Sequence, residues 1–364
     1  MRENPETKIN WDKEDLVYMY DLSRLKSLYS QWKVLFPKIH PYYAVKCNPN
    51  PEILKTLAKC GAHFDCASPR EIETVMGLGV PASKILYANP CKREADIQYM
   101  NQQHVMYTTF DSIKELEKIA MISPETKCIL RIYANDPSAQ CILSNKFGAF
   151  EEEWEGLLQH ASKVGLDVVG VSFHVGSGAA NPHIFYDALR QARDVVEMGK
   201  QIGFDMHIID IGGGFSVKNI TGMASSIHKA VADFFPDAEE FDFIAEPGRY
   251  FAETIGTLYT KIIGVRERRS HRDYFITDSV YGSFNCIFYD HCQLIPEPII
   301  RTKEMFDDSV VSSTLFGPTC DGGDTIVENV SLPRLQYGDW LRWRNMGAYT
   351  IAAACDFNGI NFTT

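Results

Sequence analysis

Short apolar runs alternate with amphipathic stretches from residue 40 to about residue 250. The runs are rich in β-branched and aromatic residues, which is typical of buried strands, and the intervening stretches repeat apolar positions at helical spacing. The predicted strands are Tyr42–Lys46, His63–Ala67, Lys84–Ala88, Met106–Phe110, Cys128–Tyr133, Val168–Val175, His207–Ile211 and Phe243–Ala245. The predicted helices include Pro51–Lys59, Pro69–Leu78, Ser112–Met121, Glu151–Val164 and Asn181–Ile202. Eight strands alternating with helices predict an α/β fold, a (β/α)8 barrel of the TIM type.

The pattern changes after about residue 258, where short strands separated by turn residues replace the alternation. The predicted strands are Gly256–Val265, Asp273–Thr277, Ser312–Gly317 and Asp339–Trp343, and the N-terminal run Leu16–Tyr20 is predicted to join them. The predicted organisation is therefore a barrel over residues 24–258 and a sandwich-like or barrel-like β-domain over residues 259–364, completed by residues 1–23.

Composition narrows the class of protein. An apolar content of 45% and a charged content of 23% are typical of a globular protein. A net charge of −11 without a basic run argues against nucleic acid as a partner. The polar N-terminus and the lack of a long apolar run predict a cytoplasmic protein that does not enter a membrane. The ten cysteines are scattered without paired spacing, which predicts reduced thiols and no metal site.

Lys46 is the most informative residue for function. It ends an apolar run just before Cys47 and Asn48, so it is predicted at the end of a buried strand. Burial there would lower the pKa of the amine and allow it to form a Schiff base with an aldehyde. The alternative for this residue alone is an ordinary surface charge at a strand end.

Two further strand ends carry residues suited to a phosphorylated ring. Gly212, Gly213 and Gly214 would let backbone N–H groups approach a single phosphate, because the spacing of a dinucleotide motif is absent. In the run Glu246-Pro247-Gly248-Arg249, the carboxylate suits a ring nitrogen and the guanidinium suits a phosphate. The alternatives are a tight glycine turn and an internal ion pair between Glu246 and Arg249.

Other polar residues are predicted at the same end of the barrel. His174 either stacks on a cofactor ring or is a hydrogen-bonded core residue, and the neighbouring Ser177 would donate to a phosphate. Asp65 lies at a predicted strand end, either in the site or as a solvated group. Arg131 lies within an apolar strand and therefore needs a buried partner.

The β-domain carries a second candidate set. Glycine and proline flank Cys320, which predicts an accessible thiol able to act as an acid or a nucleophile. Asp321 follows it, and Asp290 lies among aromatic residues that include Tyr281. Two carboxylates suit recognition of a distal ammonium group.

Taken together, these segments resemble those of the eukaryotic ornithine decarboxylase family, pyridoxal-phosphate enzymes with an alanine-racemase-like fold. The resemblance covers nearly the whole chain and is carried by Tyr-Ala-Val-Lys-Cys-Asn, Phe-Asp-Cys-Ala-Ser, Asn-Lys-Phe-Gly-Ala, Ser-Phe-His-Val-Gly-Ser-Gly, Glu-Pro-Gly-Arg-Tyr, Gly-Pro-Thr-Cys-Asp-Gly and Gly-Ala-Tyr-Thr. It implies decarboxylation of ornithine to putrescine, the first step of polyamine biosynthesis. It also implies that Lys46 is the Schiff-base lysine, His174 the ring-stacking residue and Cys320 the proton donor.

The resemblance further implies how the cofactor, the substrate and a second subunit are held. The cofactor contacts would be Lys46, Asp65, Arg131, His174, Ser177, Gly212, Gly213, Gly214, Glu246, Pro247, Gly248, Arg249 and Tyr349. The substrate contacts would be Tyr281, Tyr289, Asp290, Asp321 and Phe357. The family forms a homodimer whose active sites take Cys320 and Asp321 from the neighbouring subunit, with a salt bridge between Lys146 and Asp324. Antizyme is an expected partner, although the family's C-terminal extension is missing after Thr364.

Two alternatives to ornithine decarboxylation remain at this point. The chain could decarboxylate arginine or lysine, or it could be an inactive homologue similar to the antizyme inhibitors. The presence of Lys46, Asp65, Cys320 and Asp321 together argues against an inactive protein. The acidic residue Asp290 argues against a longer substrate.

Overall fold

The computed structural model describes residues 5–134, 136–141, 145–301 and 307–362. The chain folds into two compact units. The first, the barrel unit, is Leu22–Ala252. The second, the β unit, is built from the chain before Leu22 and the chain after Ala252, so it is discontinuous in sequence.

The first strand of the chain, β1 (Leu16–Tyr20), belongs to the β unit. The barrel unit contains a closed parallel barrel. Its strands are β2 (Ile39–Ala44), β3 (His63–Cys66), β4 (Ile85–Tyr87), β5 (Tyr107–Phe110), β6 (Lys127–Ile132), β7 (Asp167–Phe173), β8 (Ile208–Asp210) and β9 (Asp242–Ala245). They pair in chain order, and β9 pairs with β2 to close the ring. The predicted barrel is confirmed, and each predicted strand overlaps an observed one.

Helices separate most of these strands. They are α1 (Leu22–Leu35), α2 (Pro51–Cys60), α3 (Pro69–Gly77), α4 (Glu94–Gln102), α5 (Ile113–Ile122), α6 (Glu151–Lys163), α7 (His183–Ile202), α8 (Ile220–Phe234) and the short α9 (Arg249–Ala252). Ser68 caps the amino end of α3, because its hydroxyl accepts a hydrogen bond from the Glu71 N–H at 3.3 Å. The Glu71 carboxylate accepts from the Ala67 N–H at 2.6 Å, which fixes the turn after β3.

A layer of branched apolar side chains fills the barrel interior. It consists of the buried residues Leu86, Ile129, Val169, Ile208 and Ile244. Strands enclosed by helices are apolar on both faces, which explains why the sequence shows continuous apolar runs there. Polar side chains that follow the strands therefore collect at the carboxyl ends of the barrel.

The β unit is a mixed sheet. After β10 (Gly256–Arg268) and β11 (His271–Ile276) comes a short helix, α10 (Cys286–Tyr289), followed by β12 (Glu297–Ile299), β13 (Asp307–Phe316), β14 (Thr325–Arg334) and β15 (Trp340–Arg344). The order is β12-β15-β10-β11-β13-β14, and β1 pairs antiparallel with β10. Buried residues such as Leu258, Tyr274, Leu315 and Trp343 form its core.

Two global features bear on the class of protein. Across the helices in the described ranges, none has both the length and the apolar content that crossing a bilayer requires. All ten cysteines are free thiols.

Candidate active site

Lys46 does not belong to the strand in which the sequence predicted it but to the turn that follows this strand. Strand β2 ends at Ala44, and Lys46 occupies a 3₁₀ turn, Val45–Cys47. Its side chain keeps 39% of its exposure, and its Nζ lies 2.6 Å from Oδ2 of Asp65. The side chain is therefore only partly desolvated, which is less than the predicted burial. Its amine is paired with the Asp65 carboxylate.

Asp65 is the buried partner of that amine. It belongs to β3, opposite Ala44 of β2, and its side chain is fully buried. Its second oxygen, Oδ1, is buried and has no hydrogen-bond partner among the described residues. A buried unsatisfied carboxylate oxygen costs free energy, so this end of the barrel has unused hydrogen-bonding capacity.

The glycines after β8 pack so closely against neighbouring segments that residues with a side chain would not fit there. Gly212 and Gly214 have φ of 63° and 106°, which disfavours residues with a side chain. A Cβ at Gly213 would lie 2.7 Å from Nε2 of His174, and one at Gly214 would lie 2.9 Å from the Gly176 carbonyl oxygen. The predicted role for this loop, close approach of backbone to a ligand, remains compatible with this packing.

Glu246 has a carboxyl neighbour, Asp210, that was not among the predicted site residues. Asp210 ends β8 and is fully buried, and Glu246 follows β9 and is 8% exposed. Burial raises the pKa of Asp210 to about 7. Burial, followed by the charges of Asp210 and Asp65, raises the pKa of Glu246 well above its ordinary value. The pair therefore holds a proton near neutral pH, because two adjacent buried carboxyls cannot both ionise.

This pairing predicts a pH-dependent stability for the cofactor-free protein. Asp210 has a pKa near 4 in an unfolded chain and about 7 in the folded one. The folded state therefore binds the extra proton, and its contribution to stability is full below about pH 4 and lost as pH rises through 7. We expect Asp210→Asn to become more stable relative to the unmodified protein as pH rises from 5 to 8, measured by urea unfolding.

The control for this experiment is Asp242→Asn, at the exposed amino end of β9. Its stability should follow that of the unmodified protein across the same pH range. A constant difference between Asp210→Asn and the unmodified protein from pH 5 to pH 8 would contradict the shared proton.

A buried hydroxyl and guanidinium lie beside the glycine loop. Nη2 of Arg249 donates to Oγ of Ser177 at 2.9 Å, and both residues are less than one tenth exposed. The amide of Asn219 donates to the carbonyl oxygens of Gly214 and Ala179 at 3.0 and 2.7 Å. Asn219 was not predicted, and it fixes the loop to the chain segment that carries Ser177.

His174 is a neutral imidazole. Its Nδ1 accepts a hydrogen bond from the Gly176 N–H at 3.0 Å. Burial, and then the positive charges of Arg131 and Lys46, lowers the pKa of His174 well below its ordinary value. Arg131 is partly exposed on β6, and its guanidinium lies over the Phe147 ring at 5.3 Å from the centroid.

In the β unit, Tyr281, Asp321 and Phe357 come together. The Tyr281 hydroxyl donates to Oδ2 of Asp321 at 2.6 Å, and its ring stacks on Phe357 with centroids 4.0 Å apart. The Gly323 N–H, and then this hydroxyl, lowers the pKa of Asp321, so the exposed carboxylate is ionised at neutral pH. Residues separated by about 75 positions in the chain thus form one surface.

The remaining predicted residues of the β unit differ in exposure. Cys320 is exposed, and its N–H donates to the Asn358 side chain at 2.9 Å. Tyr289 is 71% exposed, whereas its neighbour Asp290 is only 2% exposed. Tyr349 has a positive φ of 54°.

Asp324 and Lys146, the predicted partners across a dimer, belong to different units. The Asp324 carboxylate is 2% exposed, and it accepts from the hydroxyls of Thr319 at 2.6 Å and Ser279 at 3.0 Å and from the Val280 N–H at 3.0 Å. It therefore fixes the turn that carries Cys320 and Asp321. Lys146 is exposed, with its Nζ 5.0 Å from the Phe147 ring centroid.

A cavity of about 370 Å³ opens in the barrel unit at a different place. It is lined by residues that include Lys38, His40, His63 and Asp242, which lie at the beginnings of strands. Lys46 and Glu246 follow their strands, so the cavity and the candidate site lie at opposite ends of the barrel. Among the residues described, no cluster of three or more His, Cys, Asp or Glu side chains is arranged to hold a metal ion.

The carboxyl ends of the barrel strands therefore fit a phosphorylated aldehyde with a ring nitrogen. They offer a primary amine, a buried carboxyl pair, a flat neutral imidazole, and a closely packed glycine loop beside a buried hydroxyl and guanidinium. Asp65 Oδ1, which has no partner among the described residues, could accept a further hydrogen bond in the same region.

Comparison with known proteins identifies similar chains. The family model "Pyridoxal-dependent decarboxylase, pyridoxal binding domain" matches residues 22–253. Ornithine decarboxylase of Mus musculus is 43% identical, covering 96% of this chain and 79% of its own. The chloroplastic ornithine decarboxylase of Nicotiana glauca is also 43% identical, with coverage of 96% and 83%. The crystal structure of the arginine decarboxylase of Paramecium bursaria Chlorella virus has a TM-score of 0.92 and 39% identity, covering 96% of this chain and 94% of that one.

Proposed function

The chain belongs to the family of pyridoxal-dependent decarboxylases, and from this premise we propose that it converts L-ornithine to putrescine and CO₂ with pyridoxal 5'-phosphate. The observation that carries the choice of substrate is the 43% identity to ornithine decarboxylases over 96% of the chain. Putrescine formation would place the enzyme at the start of polyamine biosynthesis.

The barrel unit would hold the cofactor. Lys46 would bind the aldehyde carbon, Asp65 would orient the Lys46 amine, and His174 would lie against the ring. Ser177, Arg249 and the N–H groups of the Gly212–Gly214 loop would hold the phosphate. Arg131, Pro247 and Gly248 of the barrel unit are proposed to complete these contacts, and Tyr349 of the β unit is proposed as a further cofactor contact. The acid pair of Asp210 and Glu246 would keep one negative charge for the ring nitrogen after sharing one proton.

The bound cofactor supplies an electron-accepting ring that takes up the electron pair released with CO₂. The residues of the chain then decide where the substrate lies and where its proton goes. Asp290 and Asp321 would hold the distal ammonium group, with Tyr281, Tyr289 and Phe357 as walls of the substrate site. Cys320, an exposed thiol beside Asp321, would deliver a proton to the α-carbon.

The test of this function is a product assay. Purified protein with pyridoxal phosphate is supplied separately with L-ornithine, L-arginine and L-lysine, and the amine and CO₂ are quantified. We expect putrescine as the main product, at the highest kcat/KM of the three substrates. A higher kcat/KM for another amino acid would overturn the assignment of ornithine, and no amine from any of them would indicate an inactive homologue.

Arginine is the second candidate. It is favoured by the similarity to the viral arginine decarboxylase, which has a TM-score of 0.92. The same assay distinguishes the two, because arginine would yield agmatine.

We also propose a cytoplasmic homodimer with shared active sites, in which Cys320 and Asp321 of one subunit serve the barrel of the other. Lys146 and Asp324 would pair across the interface. Antizyme is proposed as a protein partner.

Mixing two inactive variants tests the shared site. Lys46→Ala and Cys320→Ala proteins should each be nearly inactive, and after subunit exchange they should regain about a quarter of the unmodified activity. Random pairing makes half of the dimers mixed, and each mixed dimer has one intact site. Lys46→Ala mixed with the Lys46→Ala/Cys320→Ala double variant is the control and should regain nothing. Absence of recovery despite exchange, followed by mass spectrometry, would indicate a site within one chain.

A further inference from the structure

Two thiols flank the turn that carries Asp290. Cys286 begins α10, and Cys292 follows the end of that helix. The carbonyl oxygen of Cys286 accepts hydrogen bonds from the N–H of Asp290 at 3.0 Å and from the N–H of Cys292 at 3.1 Å. The chain therefore folds back on itself, so that Cys292 returns to the residue where the helix began.

The side chains of the two cysteines are also in contact. A hydrogen bond with the Cys286 thiol, followed by burial, raises the pKa of Cys292 well above its ordinary value. A direct N–H to carbonyl bond between two residues places their α-carbons roughly 5–6 Å apart, which is the usual separation in a disulfide. The sulfur of Cys292 also donates to Oδ2 of Asp290 at 3.2 Å. The Cys292 thiol thus lies within reach of the Cys286 thiol and of the Asp290 carboxylate.

We propose that Cys286 and Cys292 form a reversible disulfide that weakens binding of the amino-acid substrate at Asp290. The effect on binding rests on the proposed function, in which Asp290 holds the distal ammonium group. The disulfide itself rests only on the positions of the two cysteines.

A disulfide oxidant such as oxidised glutathione completes the chemistry. Cys292 is partly exposed and Cys286 is fully buried, so Cys292 reacts first. Asp290 accepts its proton as the sulfur attacks one sulfur of glutathione disulfide, and one glutathione thiolate leaves. The Cys286 thiol then loses its proton and attacks the Cys292 sulfur, which releases the second glutathione. Two thiols are oxidised, and one disulfide is reduced to two thiols.

The high pKa of Cys292 makes this reaction slow at neutral pH, because the thiolate is the attacking form. The rate should therefore increase as pH rises. The carboxylate at 3.2 Å offers a local acceptor for the proton, which allows the reaction to proceed below the pKa of the thiol.

Oxidation changes Asp290 in two ways. It removes the S–H donor to Oδ2, and it closes a ring of seven residues around the turn that holds Tyr289 and Asp290. The loss of the S–H donor alone would leave Oδ2 free for the ammonium group, so the expected weakening comes from the ring, which displaces the carboxylate. A lost hydrogen bond between an ammonium and a carboxylate is worth enough to raise KM about 10-fold to 100-fold. We expect KM for ornithine to rise by this factor while kcat changes less.

The experiment uses the full chain loaded with pyridoxal phosphate. The protein is incubated with oxidised glutathione at pH 7 and pH 8.5, blocked with N-ethylmaleimide, digested and analysed by mass spectrometry. We expect Cys286 and Cys292 to be recovered linked to each other and without N-ethylmaleimide, at a mass two hydrogen atoms below that of the unalkylated dithiol, and the link to form faster at pH 8.5. In the reduced protein both cysteines should instead carry N-ethylmaleimide. Dithiothreitol should reverse both the link and the rise in KM.

Cys292→Ser and Cys292→Ala are the matched variants. Each keeps the exposed thiols Cys91, Cys320 and Cys355, so any inhibition through those residues remains in the variants. We expect KM of the unmodified protein to rise on oxidation and KM of both variants to change less than 2-fold. Equal oxidation-dependent rises in KM in all three proteins would overturn the effect on binding.

The experiment tests the disulfide and the proposed function separately. If the linked peptides do not form in a protein that decarboxylates ornithine, the inferred disulfide is wrong. If they form in a protein that has no activity on ornithine, the proposed function is wrong and the disulfide stands.

Discussion

Replacing Lys46 with alanine or arginine is expected to lower kcat by on the order of 1000-fold or more, because neither side chain provides a primary amine for the cofactor aldehyde. Lys46 Nζ lies 2.6 Å from Oδ2 of Asp65 and remains partly exposed, so the amine is both oriented and reachable. Borohydride reduction of the unmodified protein with pyridoxal phosphate should attach the cofactor to Lys46. The attachment site is read by peptide mass spectrometry.

The Lys46→Arg variant separates the two roles of this residue, which are to pair with Asp65 and to bind the cofactor covalently. It keeps a positive charge beside Asp65 but cannot form the covalent bond. Lys38→Ala is the matched control, because Lys38 immediately precedes β2 at the other end of the same strand. That variant should keep both activity and attachment at Lys46. A reducible adduct on another lysine in Lys46→Arg that supports normal turnover would show that the assignment is wrong.

Neutralising either proposed carboxylate of the substrate site is the second change with a large expected effect. Asp290→Asn and Asp321→Asn should each raise KM for ornithine by on the order of 30-fold to 3000-fold, since losing one partner of a charged pair costs about 2–5 kcal/mol. Asp290 is 2% exposed, so its loss should have the larger effect. Steady-state kinetics measures both, with putrescine as the product.

Norvaline provides the decisive comparison, because it has the ornithine backbone without the distal amine. If the carboxylates recognise that amine, neither substitution should reduce decarboxylation of norvaline by more than a few-fold. Asp356→Asn, an exposed carboxylate beside Phe357, is the control and should leave KM for ornithine within 2-fold. Equal losses with ornithine and norvaline would mean that Asp290 and Asp321 act on the fold or on the α-carbon chemistry.

The apolar pattern predicted the barrel because a buried parallel strand is apolar on both faces and its helices repeat apolar positions every three to four residues. The spacing of apolar residues is a local property of the sequence, so it can be read from one chain without the structure. The same logic placed Glu246 and the loop Gly212–Gly214 at strand ends, where the structure has them. It missed the end of β2 by two residues, because Lys46 lies in a 3₁₀ turn that contacts β3 and is not part of the strand.

Contacts between side chains that are distant in sequence were decided by the tertiary structure alone. Strands β8 and β9 lie side by side, which brings Asp210 against Glu246 and raises the pKa of both carboxyls. Folding of the β unit puts Tyr281 against Asp321 and Phe357. The turn after α10 returns Cys292 to Cys286. A sequence identifies residue types and their periodicity, whereas desolvation and charge coupling depend on distances that only the packed chain sets.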